Sequence, residues 1–145
     1  MSFETAIQTA VFQRLRGYAP LADVLAAHGT LGGPAIYDDV PQAAKSEDSD
    51  AFPFVTVGED THNANDTDDS AGSDSTITIN AWSRFRGRSE VKEIQGLIYD
   101  ALHRAELDLG ALSLTTIEWE MSETIMENDG RTRHGVQRFR ILIEN

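Results

Sequence analysis

The residues most able to do chemistry in this sequence are acidic, and they are concentrated in one segment. Residues 38–74 contain eleven Asp and Glu residues against the single Lys45, so this segment carries −10 of the formal net charge of −12. Closely spaced carboxylates are typical of calcium loops, and the best local register begins at Asp66. That register fails, because its sixth position is Ala71 instead of glycine and its twelfth is Ile77 instead of glutamate. We therefore interpret these carboxylates as a solvated charged surface and predict no metal site and no cofactor.

Other residue types that support catalysis are present without the spacing that catalysis requires. The four histidines, His28, His62, His103 and His134, are scattered along the chain, and none has a partner at metal-ligand spacing. The absence of cysteine excludes thiolate metal sites and a disulfide framework. There is no Gly-x-Ser-x-Gly nucleophile elbow, and Gly32-Gly33 is not followed by the lysine of a phosphate-binding loop. We predict that the protein is not an enzyme.

One short basic stretch interrupts this acidity. It is Arg84-Phe85-Arg86-Gly87-Arg88, which we call the basic link. Its arginines have a spacing that would suit phosphate, but a chain of net charge −12 should be repelled by nucleic acid and by anionic membranes. A counter-surface for acidic groups is the better interpretation. We predict that Arg84, Arg86 and Arg88 lie at a subunit interface and face carboxylates of a neighbouring subunit.

The stretch from Asp60 to Asp74, which we call the acidic segment, has no apolar periodicity. Such a stretch is typical of a long loop, and it should be mobile in the isolated subunit. We predict a docking loop whose carboxylates meet a basic surface of another protein; these carboxylates are Asp60, Asp66, Asp68, Asp69 and Asp74. Lining a channel through which DNA passes is the other role that such charge would fit.

The elements that must position these residues are organised around one strand and one helix. In Ser75–Trp82 the residues Ile77, Ile79 and Ala81 alternate with polar ones, which predicts a half-buried strand. After the basic link, Ser89 is placed to cap a helix over about 89–104. Its apolar stripe consists of Val91, Ile94, Ile98, Ala101 and Leu102.

The rest of the chain supplies further helices and strands. Ser2 can cap a first helix to about Arg16, a short second helix is predicted over Leu21–His28, and residues 53–57 are predicted to form a strand. Asn128-Asp129-Gly130 predicts a hairpin between Leu114–Met126 and Arg133–Ile143. Its first strand should present Thr115, Ile117, Trp119 and Met121 on one face, and Glu118 and Glu120 should be able to pair with Arg138 and Arg140 across the hairpin.

Together these elements predict an α+β fold. We expect a mostly antiparallel sheet of about four strands, backed by the N-terminal helix and the helix at about 89–104, with a long acidic loop. The 145 residues fit a single domain covering 1–145. No apolar stretch approaches the length of a membrane span, so we expect a soluble protein with no membrane contact.

In this order the elements resemble the tail-completion or tail-terminator (head–tail joining) proteins of long-tailed phages and gene-transfer particles. The resemblance covers nearly the whole chain and is carried by six segments. They are the N-terminal helix, the stretches 35–41 (AIYDDVP), 52–58 (FPFVTVG) and 77–83 (ITINAWS), the helix 91–102, and 130–141 (GRTRHGVQRFRI). The Tyr-Asp, Val-Pro and Pro-Phe-Val order and the last segment are its most specific parts.

The resemblance implies a structural virion protein without catalysis. Such proteins assemble into rings, typically hexamers, at the head-proximal end of the tail tube, where they end tube polymerisation and join tail to head. The implied partners are further copies of the chain, the tail tube protein and a head–tail connector or stopper protein, with DNA only passing through the ring. The implied location is the virion, after assembly in the host cytoplasm. The alternative is a small acidic binding module, for example a DNA mimic that inhibits a basic host protein.

Overall fold

A computed structural model describes residues 2–26, 33–40 and 51–145 of the chain. Within these ranges three helices and five strands follow one another. They are α1 (Phe3–Gly17), α2 (Ala19–Ala26), β1 (Ile36–Tyr37), β2 (Phe54–Ala64), β3 (Gly72–Ser83), α3 (Ser89–Leu102), β4 (Ser113–Met126) and β5 (Arg133–Glu144). The predicted α+β class is confirmed.

The strands form one sheet in the order β1-β2-β3-β5-β4. Only β1 runs parallel to its neighbour, and the other pairs are antiparallel. The prediction of about four strands is therefore one strand short. The two-residue strand β1 pairs with β2 only at Val55 and Thr56, which is too little sequence to produce a recognisable alternation.

The core lies on the helix-covered side of the sheet. Ile77, Ile79 and Ala81 of β3 and the whole predicted stripe of α3 are fully buried, as are the β5 residues Phe139 and Ile141. α3 packs against β3, β4 and β5, and it also contacts α1 and α2. Burial of side chains from these three elements confirms the predicted centre of the fold.

Close approach between α3 and β5 depends on one glycine. A Cβ atom at Gly135 would lie 2.5 Å from Nε2 and 2.8 Å from Cδ of Gln95. The Gln95 side chain donates a hydrogen bond to the backbone carbonyl of Glu123, and the backbone carbonyl of Gln95 accepts one from Gln137 Nε2. Gly135 thus makes room for a buried residue whose side chain ties α3 to β4 and whose backbone ties it to β5.

The helix ends follow the predictions in part. Ser2 caps α1 by accepting a hydrogen bond from the backbone N–H of Thr5, as predicted. The cap assigned to Ser89 is wrong, because Ser89 is the first helical residue and Arg88 occupies the cap position without a side-chain hydrogen bond. α3 also ends at Leu102, two residues before the predicted end. Arg104 has φ +55° and donates its backbone N–H to the carbonyl of Ile117, which turns the chain toward β4.

The second helix begins two residues earlier than predicted, at Ala19, and is described to Ala26. Its predicted end at His28 lies outside the described residues. No helix in the described ranges is long and apolar enough to cross a membrane.

The β4–β5 hairpin forms as predicted, but its first strand does not keep the predicted facing. The register shifts between Leu114 and Thr116 and again between Trp119 and Met121. Ile117 is buried, and Trp119, which follows it in unbroken register, lies on the same face but is 42% exposed at the sheet edge. The shifts instead affect the two ends of the predicted set: Thr115 falls within the first shift, and Met121 follows the second and pairs with the exposed Arg138.

The charges of this hairpin also find partners other than those expected. Glu118 lies opposite Arg140, as the register requires. Arg140 nevertheless donates two hydrogen bonds to Asp74 of β3, while Glu118 lies 3.6 Å from Nε of Arg104. The neighbouring strand supplies a carboxylate with better bidentate geometry than the one predicted across the hairpin.

Candidate functional site

The acidic segment is a β-hairpin, so its prediction as a loop is wrong. Its first five residues complete β2 and its last three begin β3, and pairing runs from Asp60 opposite Ile77 to Ala64 opposite Ser73. Only residues 65–71 form the turn, which we call the acidic turn. The apolar period is missing because β3 is already held by β5 along its full length, and β2 adds to it through backbone pairing and polar side chains such as Thr61 and Thr76.

Local hydrogen bonds define the acidic turn. The backbone N–H groups of Asn65 and Thr67 donate to the carbonyls of Gly72 and Ser70, at 3.1 and 2.8 Å. Asp66 Oδ1 accepts a hydrogen bond from the N–H of Gly72 at 3.0 Å. A side chain at Gly72 would collide with the carbonyl of Asn65 and lie 3.0 Å from that of Ile143. The turn is therefore an ordered, hydrogen-bonded structure that packs against the end of β5.

The five predicted docking carboxylates have different surroundings. Asp74 accepts both hydrogen bonds of the Arg140 guanidinium, at 2.9 and 2.7 Å, and these bonds lower the pKa of Asp74. Asp60 lies 2.9 Å from Nε2 of His62, and Asp66 holds the turn. Asp68 and Asp69 are exposed, and the structure gives neither carboxylate a hydrogen bond to a described residue. The free negative charge of the hairpin is thus concentrated at its tip.

The hairpin also contains an acid–histidine–serine chain that the sequence analysis missed. His62 Nδ1 lies 2.8 Å from Ser75 Oγ, and Ser75 Oγ lies 2.5 Å from Ser73 Oγ. The residue types match a nucleophile-activating relay, but Ser75 is fully buried and offers no hydroxyl to a substrate. The network instead satisfies polar groups between two strands. Only the register that places His62 opposite Ser75 reveals it.

The basic link separates into an anchored arginine, Arg84, and two exposed ones for which the described part of the chain shows no partner. The Arg84 guanidinium stacks over the Phe52 ring at 4.2 Å, and its Nε donates to Thr132 Oγ1. Arg86 and Arg88 are exposed, and Phe85 between them is 54% exposed. Arg84 therefore fixes the start of the link, and the next four residues present one aromatic and two cationic side chains to solvent.

The support under Arg84 is the β4–β5 turn. Asp129 accepts hydrogen bonds from the hydroxyl and the backbone N–H of Thr132 and from the backbone N–H of Arg131. These hydrogen bonds, with the Arg84 charge 4.0 Å away, lower the pKa of Asp129 to about 2. The turn thus keeps its carboxylate ionised beside the link.

The described histidines serve contacts within the fold. His103 Nδ1 accepts a hydrogen bond from the backbone N–H of Trp119, and its ring stacks on Tyr99 at 4.7 Å. His134 stacks on Trp82 at 3.8 Å. His28 lies outside the described residues, and no group of three or more metal-ligating side chains occurs among the residues that are described.

The two charged regions lie at opposite ends of β3. The acidic turn precedes its first residue, Gly72, and the basic link follows its last, Ser83. A strand of twelve residues spans about 36 Å at about 3.3 Å per residue. The molecule therefore presents an acidic tip at one end of the sheet and a basic link at the other.

Comparison with known proteins gives consistent matches along the whole chain. The chain is 24% identical over 140 residues to the tail completion protein gp17 of Bacillus phage SPP1, covering 97% of this chain and 93% of that protein. Its fold matches a chain from the virion of a native gene transfer agent particle with a TM-score of 0.81 and 25% identity, covering 99% of this chain and 100% of that chain. The model of the tail completion protein gp17 family matches residues 9–144. By this match the chain belongs to the tail completion protein gp17 family.

Proposed function

We propose that the chain is a structural tail protein that assembles as a hexameric ring at the head-proximal end of a phage-type tail tube. There it ends tube polymerisation and joins the tail to the head, and it performs no catalysis. The observation that carries the proposal is the end-to-end match with a chain of a gene transfer agent virion, at a TM-score of 0.81. The relative named for tail completion supports the same role.

The basic link is the part of this proposal that concerns contacts between subunits. Arg86 and Arg88 are exposed, and Arg84 at the start of the same link is held by Phe52 and Thr132. In a chain with twice as many acidic as basic residues, 24 against 12, the surface of a neighbouring copy is rich in carboxylates. We assign Arg86 and Arg88 to the subunit interface, with Arg84 as their support.

The acidic turn is the part that concerns other proteins of the particle. Asp68 and Asp69 project from a hydrogen-bonded tip, so they are already positioned when they meet a basic surface of the tube or of a connector. Preorganisation of this kind reduces the entropy lost on binding. Asp60 and Asp74 are engaged by His62 and Arg140, so they contribute to the structure of the hairpin and not to docking.

This distribution of charge argues against the DNA-mimic alternative. A mimic needs many free carboxylates at the spacing of duplex phosphates, whereas in the hairpin only Asp68 and Asp69 are free of partners within the described chain. Recovery of a basic nucleic-acid-binding protein in stoichiometric amount in a pull-down would favour the mimic over the ring.

The ring and its docking are tested separately. Light scattering after size-exclusion chromatography, with negative-stain images of tail tubes grown with and without the protein, should show rings and tubes of defined length. Absence of rings in every condition, with no effect on tube length, would exclude the proposal.

Asp68→Asn with Asp69→Asn should leave folding and rings unchanged but reduce attachment of tails to filled heads. A matched control is Asp23→Asn with Glu4→Gln, which removes the same charge from exposed positions on α1 and α2. Normal attachment with slow DNA ejection would instead assign the turn to the channel.

A further inference from the structure

One edge of the molecule combines exposed aromatic rings with free carboxylates. At the end of α3 and the middle of β4, Tyr99 is 37% exposed and Trp119 is 42% exposed, and their rings meet edge to face at 5.9 Å. Glu120 and Glu123 on the same edge strand are exposed, and neither lies within 4 Å of a cationic group in the described ranges, although the charge of Glu120 contributes to raising the pKa of Arg140. Glu123 pairs with Val136, so its side chain lies on the face of the sheet that α3 does not cover, across the edge strand from the two rings. We call these four residues the β4 edge patch.

The aromatic rings of this patch are held in place. The backbone N–H of Trp119 donates to His103 Nδ1 at 3.1 Å, and its indole N–H donates to Ser122 Oγ at 2.8 Å. The His103 ring stacks on Tyr99 with an angle of 16° between the planes. Rigid, solvent-exposed Trp and Tyr side chains are enriched at protein interfaces, because they bury a large area with little loss of conformational entropy.

We propose that the β4 edge patch binds the basic link of a second copy of this chain. This inference rests on the proposed ring and names the surface that its arginines meet. The two surfaces are complementary in both chemistry and charge. Phe85 would pack on the Tyr99 and Trp119 rings, and the longer side chains of Arg86 and Arg88 would reach past the edge strand to pair with the two carboxylates of the patch.

The positions of the two surfaces fit a ring. The basic link precedes the first residue of α3, whereas Tyr99 lies ten residues further along the helix, a separation of about 15 Å. The link follows β3 and the patch lies on β4, and β5 lies between these two strands in the sheet. The two surfaces are therefore also about 10 Å apart across the sheet. One subunit can therefore use both surfaces at once with two different neighbours. Contacts between two different surfaces of identical subunits close into a ring when the rotation permits.

Charge reversal tests this pairing with a rescue. Arg86→Glu with Arg88→Glu, and separately Glu120→Lys with Glu123→Lys, should each abolish the ring peak in light scattering while circular dichroism shows an unchanged fold. Combining all four substitutions in one chain should restore the ring. Mixing the two double variants in equal amounts should also restore it, since every contact in an alternating ring then joins opposite charges.

A control excludes net charge as the cause. Glu4→Lys with Asp23→Lys, added to the Arg86→Glu and Arg88→Glu variant, returns the net charge to its natural value at exposed sites outside both surfaces. This variant should remain without rings. Rescue by it would overturn the proposed pairing, because restored net charge alone would then explain assembly.

A second substitution tests the aromatic half of the contact. Trp119→Ala should reduce the ring fraction at least tenfold, whereas Val24→Ala, at a 37% exposed apolar position on α2, should leave it unchanged.

Normal rings from the Glu120→Lys and Glu123→Lys variant, or failure of the mixture to recover them, would overturn the pairing while leaving the ring itself established. If that variant forms rings but no longer attaches to tubes or heads, the patch binds another protein and the pairing is wrong. If the natural chain forms no ring even on tube ends, the proposed function fails, and the pairing fails with it.

Discussion

Replacing Ile98 by alanine tests the central packing of the fold. Ile98 lies on α3 and is fully buried where the helix packs on the sheet. The substitution removes three carbon atoms, and at about 0.8 kcal/mol for each buried CH₂ the lost transfer free energy is about 2.4 kcal/mol. The cavity left behind adds to this loss, so the free energy of unfolding should fall by about 3–4 kcal/mol, within the usual range of about 2–5 kcal/mol.

The assay is urea unfolding of the purified chain, followed by circular dichroism at the helix signal. The midpoint should fall while the slope of the transition stays unchanged, because the surface exposed on unfolding is nearly the same. In thermal unfolding, a loss of this size corresponds to roughly 10 °C for a chain of this length. Glu93→Ala provides a control on the same helix, because its side chain is exposed and its removal should change the midpoint little.

An unchanged midpoint for Ile98→Ala would refute the assignment of the apolar stripe to the core. A large effect of Glu93→Ala would show instead that helix propensity or surface charge dominates the stability of α3. Either result would require a different account of how the helix is held on the sheet.

Two further predictions concern particular contacts. Gly135→Ala should lower the urea midpoint because its Cβ would lie 2.5 Å from Nε2 of Gln95. Gly96→Ala, with nothing within 4 Å of its Cβ, should instead raise the midpoint, because alanine adds up to about 1 kcal/mol of helix stability to the free energy of unfolding. Equal effects would show that α3 can move away from β5. The pKa of Asp129 is lowered to about 2, so its contribution to stability is present above its unfolded pKa of about 3.9 and is lost as the pH falls toward 2. Thr132→Val should raise this pKa, as followed by carbon-detected NMR titration, and an unchanged value would exclude the hydroxyl as its main cause.

The sequence by itself determined the helix and the strand whose apolar residues recur at the period of the backbone. The alternation in β3 and the stripe of α3 are buried as predicted, because each element has one apolar side that must leave water. The Asn128-Asp129-Gly130 turn was also readable, since few residues tolerate the backbone conformation at Gly130, where φ is +69°. These features depend on residues close together in the chain.

Only the tertiary structure decided the form of the acidic segment and the roles of its charges. Asp60–Ala64 forms a strand because the free edge of β3 supplies backbone hydrogen-bond partners along this stretch. No pattern within residues 60–64 indicates that such an edge will lie beside them. In the same way Asp74 is engaged by Arg140, 66 residues away in sequence. Arg84 differs from Arg86 and Arg88 because its guanidinium packs on the aromatic side chain of Phe52, which precedes it by 32 residues. Which charges remain free for a partner depends on which are already neutralised by distant residues, and that is fixed only when the strands have paired.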